Sequence, residues 1–304
     1  MRGVIPQPSR LMLRPLTLSF NSLRIIELIG PQDDATGRHL ASRLSAQNAP
    51  YQVSVHRLES NDDLLPALSA IAFECRTTSL RPILHFDTHA SPQGLGRPDA
   101  VPIPWEALRH ALTDINLATK INLLITMGAC YGAYAADLVR PMATTPVWGV
   151  VGPTEQVFES EVRSGFEAFF SVLHSTQSLD AASAALAARS VSIPESWTVL
   201  GAEQLFALAF GQYLALHAGP GGRRRLELTL LKDLRRKGSI TRRGLRAKIR
   251  RSMLSERRRQ YATMKSTFFA LDRFPDNAAR FPLEIEDALE LYGAFLATRS
   301  DGAV

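Results

Sequence analysis

Two short runs hold the residues best suited to chemistry. His85-Phe-Asp-Thr-His89-Ala-Ser continues from Pro82-Ile-Leu, and Met127-Gly-Ala-Cys130-Tyr-Gly132 continues from Ile121-Asn-Leu-Leu-Ile-Thr. A cysteine attacks as its thiolate, and a neighbouring imidazole can take the thiol proton. Cys130 falls at a glycine-flanked turn ahead of a predicted helix, whose N-terminal dipole favours the anion. His89 closes the other run, so Cys130 and His89 form the candidate nucleophile and base. A free cysteine is more often a small buried apolar side chain. Cys75, on a predicted helix beside Leu68 and Ile71 with no histidine placed nearby, is read that way.

The same runs admit a second chemistry. His85, Asp87 and His89 recur at every second residue, and on a strand such residues share one face. Two imidazoles and a carboxylate, with Cys130 as a fourth ligand, suit a divalent metal and a metal-dependent hydrolase. Against this, His85 and Asp87 lie inside the predicted strand and face a helix layer, where a hydrogen-bonded core histidine is ordinary. The Cys–His chemistry needs neither metal nor cofactor, and none is assigned. Asp87, Glu155 and Glu159 fall at or just after predicted strand ends and are the substrate-pocket candidates. An acidic lining would favour a basic residue before the scissile bond, although acids at helix N-termini also answer the helix dipole.

These residues need strands that end together. Strands are predicted at 22–30, 52–58, 82–87, 121–127 and 146–151, from apolar or alternating runs bounded by turn residues. Helices are predicted between them: 33–46 with Asp33 or Asp34 near the N-cap, one opened by 60–63, and 104–117 with Pro at its start. Two more follow at 131–139 and about 158–173. Strands alternating with helices imply an α/β fold with a mostly parallel sheet and helices on both faces. In such sheets function collects at the carboxyl ends of the strands. The first strand ends in Ile-Gly-Pro-Gln-Asp without a glycine-rich or Gly-Lys-Thr phosphate loop, which argues against a nucleotide site.

Beyond residue 179 the pattern is helical, at 180–190, 202–217, 262–272 and 283–298. The chain has 304 residues, 45% hydrophobic and 21% charged, which excludes a disordered chain, a collagen and a coiled-coil rod. Two cysteines give no disulfide framework, and a reducing compartment, the cytoplasm, is expected. No apolar run reaches the roughly 20 residues of a membrane span, and Arg2, Arg10 and Arg14 interrupt any secretory signal. Charge is uneven: residues 222–260 carry thirteen Arg and three Lys against three acids, a net +13, so with +6 overall the remainder carries −7. This division gives an N-terminal extension (1–22), an α/β domain (23–218) and a basic helical C-terminal region (219–304), with 219–222 as linker. Segment 222–260 is expected either to meet an anionic partner (an acidic protein, nucleic acid or a membrane surface) or to be a solvated helical face.

Gly128-Ala-Cys130-Tyr-Gly132 resembles the nucleophile signature Gln-Ala-Cys-x-Gly of caspases, whose histidine lies about 50 residues upstream. Here His89 precedes Cys130 by 41 residues. From about Leu23 to Leu173 the chain resembles bacterial members of the caspase-like cysteine peptidase superfamily, which includes the separase-like CHAT domains. The resemblance implies a cysteine endopeptidase acting on a protein or peptide substrate. Cys130 would be nucleophile, His89 its partner, and the backbone amides of Ala90 and Cys130 the oxyanion hole. Ala90 replaces the family's glycine, and Gly128 replaces the glutamine, so aspartate specificity does not carry over. Roles in bacterial stress, cell death or phage defence are implied by the resemblance alone. A caspase-like scaffold that binds a partner without turnover is the non-enzymatic alternative.

Overall fold

The computed structural model describes residues 18–47, 51–189, 196–217 and 257–300. Five parallel strands build the sheet: β1 (Ser22–Leu28), β2 (Gln52–Arg57), β3 (Pro82–Ser91), β6 (Leu124–Gly128) and β7 (Gly149–Pro153). The order is β2-β1-β3-β6-β7-β8, and β8 (Trp197–Leu200) runs antiparallel to β7. The far end of β3 turns aside to pair with β4 (Gly94–Gly96), which pairs with β5 (Ile103–Pro104). The α/β expectation therefore holds, with a mostly parallel sheet between helix layers. Sequence patterning missed β4, β5 and β8, because pieces of two to four residues carry no readable period.

Parallel strands need helical crossovers, and the direction of each crossover selects a face. Stepping from β1 out to β2 sets α1 (Thr36–Ala46) on one face, where it meets α4 (Glu159–Thr176). Stepping back from β2 to β3 sets α2 (Leu64–Thr77) on the other, where it meets α3 (Trp105–Ala118). With helices on both sides, every residue of β1 is buried. Its two ionic residues lie on opposite faces. Arg24 reaches Glu74 of α2 at 2.6 Å, and Glu27, with no exposed side-chain surface, reaches Arg38 of α1 at 3.0 Å.

Several boundaries differ from expectation. The fourth strand starts at Leu124 because Lys120 and Ile121 adopt positive φ, turning the chain before the ladder begins. The run after Cys130 forms a 3-10 helix (Gly132–Leu138) instead of an α-helix. α1 begins at Thr36, and neither Asp33 nor Asp34 caps it. Asp87 of β3 does so instead, accepting from Thr36 Oγ1 and from the Gly37 amide, both at 2.6 Å. Only glycine fits at 37, since a Cβ there would lie 2.6 Å from Ile25 Cγ2 and 2.9 Å from Asp87 Oδ2.

After α5 (Leu179–Ala187) and α6 (Ala202–His217), a helix is described over residues 257–268 (α7), followed by α8 (Asn277–Arg280) and α9 (Ile285–Ser300). Phe206 of α6 meets Tyr261, Phe268 and Phe269, and Phe281 stacks on Phe269 at 4.3 Å. The Phe268 carbonyl accepts from the Thr145 amide, just before β7. Residues 257–300 thus share one apolar core with the sheet layer. The linker 219–222 and residues 222–256 of the basic segment lie outside the described residues.

His85 tests how this core handles a titratable group. It is 2% exposed, with Nδ1 2.9 Å from Thr126 Oγ1 and its ring edge-on to Phe166 and Phe170. Burial pushes its pKa from 6.5 down to about 3. The unfolded chain therefore takes up a proton below pH 6.5 that the folded chain refuses until about pH 3. Stability is complete above this window and falls by about 1.4 kcal/mol per pH unit within it. Urea midpoints measured across the window should fall steeply in the wild type. The double variant His85→Leu/Thr126→Val, which removes both polar partners, should stay within about 1.5 kcal/mol at neutrality and show a flatter acid limb. Equal acid slopes in the two proteins would refute this account.

Candidate functional site

The site follows from strand register. Glu27 of β1, Asp87 of β3 and Gly128 of β6 form one rung across the sheet. His89, where β3 pairs with β4, and Cys130, in the turn that follows β6, each stand two residues beyond it. Two steps along β3 return His89 to the face of Asp87. That face carries His85 and Asp87, and a Cβ on Gly128 would point at His85 Nε2, 3.1 Å away. It is the α1/α4 face. Cys130 Sγ accordingly lies 3.7 Å from the carbonyl oxygen of Val157, ahead of α4, and His89 turns toward Asp33, ahead of α1.

Cys130 is half-buried and Cys75 fully buried. Burial pushes the Cys75 thiol up to about 11, so it stays protonated. The turn presenting Cys130 is built from three contacts. Tyr131 adopts the left-handed conformation, φ 56°, and its amide donates to the Glu155 carbonyl at 3.1 Å. Its ring meets Tyr134 edge-on at 6.0 Å. The Gly132 amide closes back on Ala129 O at 3.2 Å. Among the described residues, the Cys130 amide donates no backbone hydrogen bond. An amide without a partner among the described residues, beside a candidate nucleophile, is what an oxyanion donor requires. Ala90, the other expected donor, pairs with Leu95 on the β3–β4 hairpin.

Asp33 is the residue that the sequence reading missed, having treated it only as a helix cap. Its Oδ2 lies 2.9 Å from His89 Nε2 and accepts the Gly30 amide at 2.6 Å. The available signal was its position: an acid just past the end of β1, beside the strand that carries His89.

The three pocket candidates separate. Asp87 is 3% exposed, with both carboxylate oxygens bound at the start of α1, so it caps a helix and lines no open pocket. Desolvation raises its pKa against the two hydrogen bonds. Glu155 is half-exposed, and its carbonyl holds the Tyr131 amide. Glu159 is exposed in the first turn of α4. Desolvation lifts its pKa, the charge and hydrogen bond of Asp34 and the charge of Asp87 lift it further, and Arg163 opposes them. His85, Asp87 and His89 share a face but are bound to Thr126, to the α1 N-terminus and to Asp33 respectively. Among the described residues, no group of three or more His, Cys, Asp or Glu side chains is placed to hold a metal ion.

The close fit beneath Cys130 can be probed directly. A Cβ on Gly132 would collide with Cβ of Met127 and lie 3.3 Å from Pro153 Cδ. Gly132→Ala should cost roughly 1–3 kcal/mol in thermal or urea unfolding and slow alkylation of Cys130. Gly293, in the middle of α9, has open space around it. Gly293→Ala should instead stabilise by about 0.5–1 kcal/mol. Comparison of the chain with models of known protein families and with curated proteins found no match.

Proposed function

We propose that the protein is a cysteine endopeptidase whose chemistry runs through Cys130 and His89. One observation supports this reading: His89 and Cys130 each follow, by two residues, a shared rung of β3 and β6 at the sheet's carboxyl edge. The resemblance of Gly128–Gly132 to the caspase-like nucleophile signature adds support, as does the Cys130 amide, which has no backbone partner among the described residues.

The steps balance without a cofactor. His89 takes the thiol proton, and the Cys130 thiolate attacks the scissile carbonyl carbon. The carbonyl oxygen becomes an oxyanion met by the Cys130 amide. The C–N bond breaks as the imidazolium hands its proton to the departing amine, leaving a thioester on Cys130. Water then attacks the thioester carbonyl and gives a proton to His89. The thiolate leaves and recovers that proton, and the peptide acid is released.

Substrates are proteins or peptides, and the compartment is the cytoplasm, in keeping with two unpaired thiols. Among the described residues, no helix is long and apolar enough to cross a membrane. A role in bacterial stress, cell-death or phage-defence signalling rests on the family resemblance, and an anionic partner for residues 222–260 rests on their charge.

Cleavage of a casein or peptide-library substrate should be lost, by at least about a thousandfold, in Cys130→Ala and in His89→Ala, with unchanged thermal midpoints. Chelators should leave turnover intact. Normal turnover by either variant, or loss in EDTA restored by zinc, would falsify the reading. Glu155 and Glu159 near the turn should favour Arg or Lys over Asp before the scissile bond. Glu159→Gln should narrow that preference roughly tenfold. Because Glu159 takes up its proton at a higher pH than an ordinary glutamate, the preference should fade as pH falls through the mildly acid range. A library that ranks Asp first removes this pocket assignment.

A further inference from the structure

Resting on the peptidase reading above, we propose that Asp33 is a positioning residue that completes a Cys130–His89–Asp33 triad across the ends of β6, β3 and β1. Its Oδ2 lies 2.9 Å from His89 Nε2. The chain turn that carries it is already closed by backbone, since the Asp33 amide donates to Gly30 O at 3.3 Å. The side chain is therefore not needed merely to bend the chain. Its neighbour Asp34 faces Glu159 instead and does not compete for His89.

The direction of the hydrogen bond follows from charge. Partial burial pushes the Asp33 carboxyl up. The His89 bond, the Gly30 amide and the charges of His89 and Arg97 outweigh that and hold it below the usual range. At neutral pH it is a carboxylate and can only accept. His89 Nε2 must then carry the hydrogen, which leaves Nδ1 as the basic nitrogen. The other ionic groups in reach are Arg97, beside Asp33, and Asp87, one strand repeat below His89.

Orientation matters because the His89 side chain is 52% exposed. An imidazole so open to water, with no fixed partner, samples several rotamers and both tautomers. Asp33 removes that freedom. When Nδ1 takes the Cys130 proton, the resulting imidazolium sits against a carboxylate already in place. Asp33 itself takes up no proton in this step.

Alkylation of Cys130 by iodoacetamide, resolved by peptide mass spectrometry on the full-length protein, reads this directly and needs no known substrate. Cys75 stays silent because burial holds its thiol near 11. At about pH 6 the wild type should react roughly tenfold faster than His89→Ala. Asp33→Asn keeps the side-chain size and an acceptor for Gly30 but removes the charge. It should lose roughly three- to tenfold, with Asp33→Ala losing at least as much. The double variant Asp33→Asn/His89→Ala should react no more slowly than His89→Ala alone, because Asp33 acts through the ring. Near pH 10 all variants should converge as the free thiol ionises unaided.

Wild-type rates in both Asp33 variants overturn the triad while leaving the Cys–His pair standing. So does a lowered thermal midpoint with an unchanged alkylation profile, or a further additive loss in the double variant. A wild-type rate in His89→Ala overturns the peptidase reading itself.

Discussion

The parallel ladder between β1, β3 and β6 is the constraint on which the site depends. A parallel pair fixes not only which residues lie side by side but also which end of every strand is the carboxyl end. Once Glu27, Asp87 and Gly128 share a rung, the segments leaving those strands emerge at one edge and on predictable faces. Asp33, His89 and Cys130 are far apart in sequence, yet each is reached within a few residues of its strand's end. A one-residue slip of β6 against β3 would turn every side chain of β6 to the opposite face and shift the turn that carries Cys130. The register therefore sets the geometry of the candidate site, and the apolar residues that pin it are as much a part of that site as the thiol.

The buried charges around that rung are arranged to hold it. Asp87 sits beneath His89 and spends both oxygens on the first turn of α1, where the helix dipole and free amides favour a carboxylate. Ala35, at the N-cap, has no side chain to do this. The strand thus caps the helix that covers it, and Gly37 permits the approach. Glu27, one strand over, is neutralised by Arg38 of the same helix. Two acids inside the sheet are each answered by α1, so that helix has a single seat. Its N-terminal lead-in, which carries Asp33, is fixed with it. Removing Arg38 would leave the buried Glu27 carboxylate without its cation, although Arg38 itself reaches solvent.

Strand and helix order was legible because the strands are buried on both faces and read as continuous apolar runs. The placement of Cys130 and His89 at the sheet's carboxyl edge was legible for the same reason, since each follows such a run directly. What escaped was whatever depends on contacts across the chain. Asp33 looked like a helix cap because acids before helices usually are, and only the path of β3 shows that Asp87 holds that position. Asp87 looked like a pocket residue because it stands near a strand end, but β3 runs four residues further and buries it. The left-handed Tyr131 and the 3-10 geometry after it are imposed by the Glu155 carbonyl and by Met127 beneath Gly132, both set by tertiary packing.

The two thiols of this chain show how environment divides one chemistry. Cys75 lies on the buried side of α2, and desolvation, followed by the nearby charge of Glu74, raises its thiol to about 11. Arg24 and Arg76 act the other way and do not overcome it. Such a sulfur is an apolar wedge at any physiological pH. Cys130 is half-exposed at the sheet's carboxyl edge, its amide without a backbone partner among the described residues, and a histidine stands on the adjoining strand. The local sequence signals this difference, with an apolar helix face around Cys75 and a glycine-flanked turn around Cys130, but does not cause it. It comes from the step at which each leaves the core: mid-helix for Cys75, and two residues past the last rung of the ladder for Cys130.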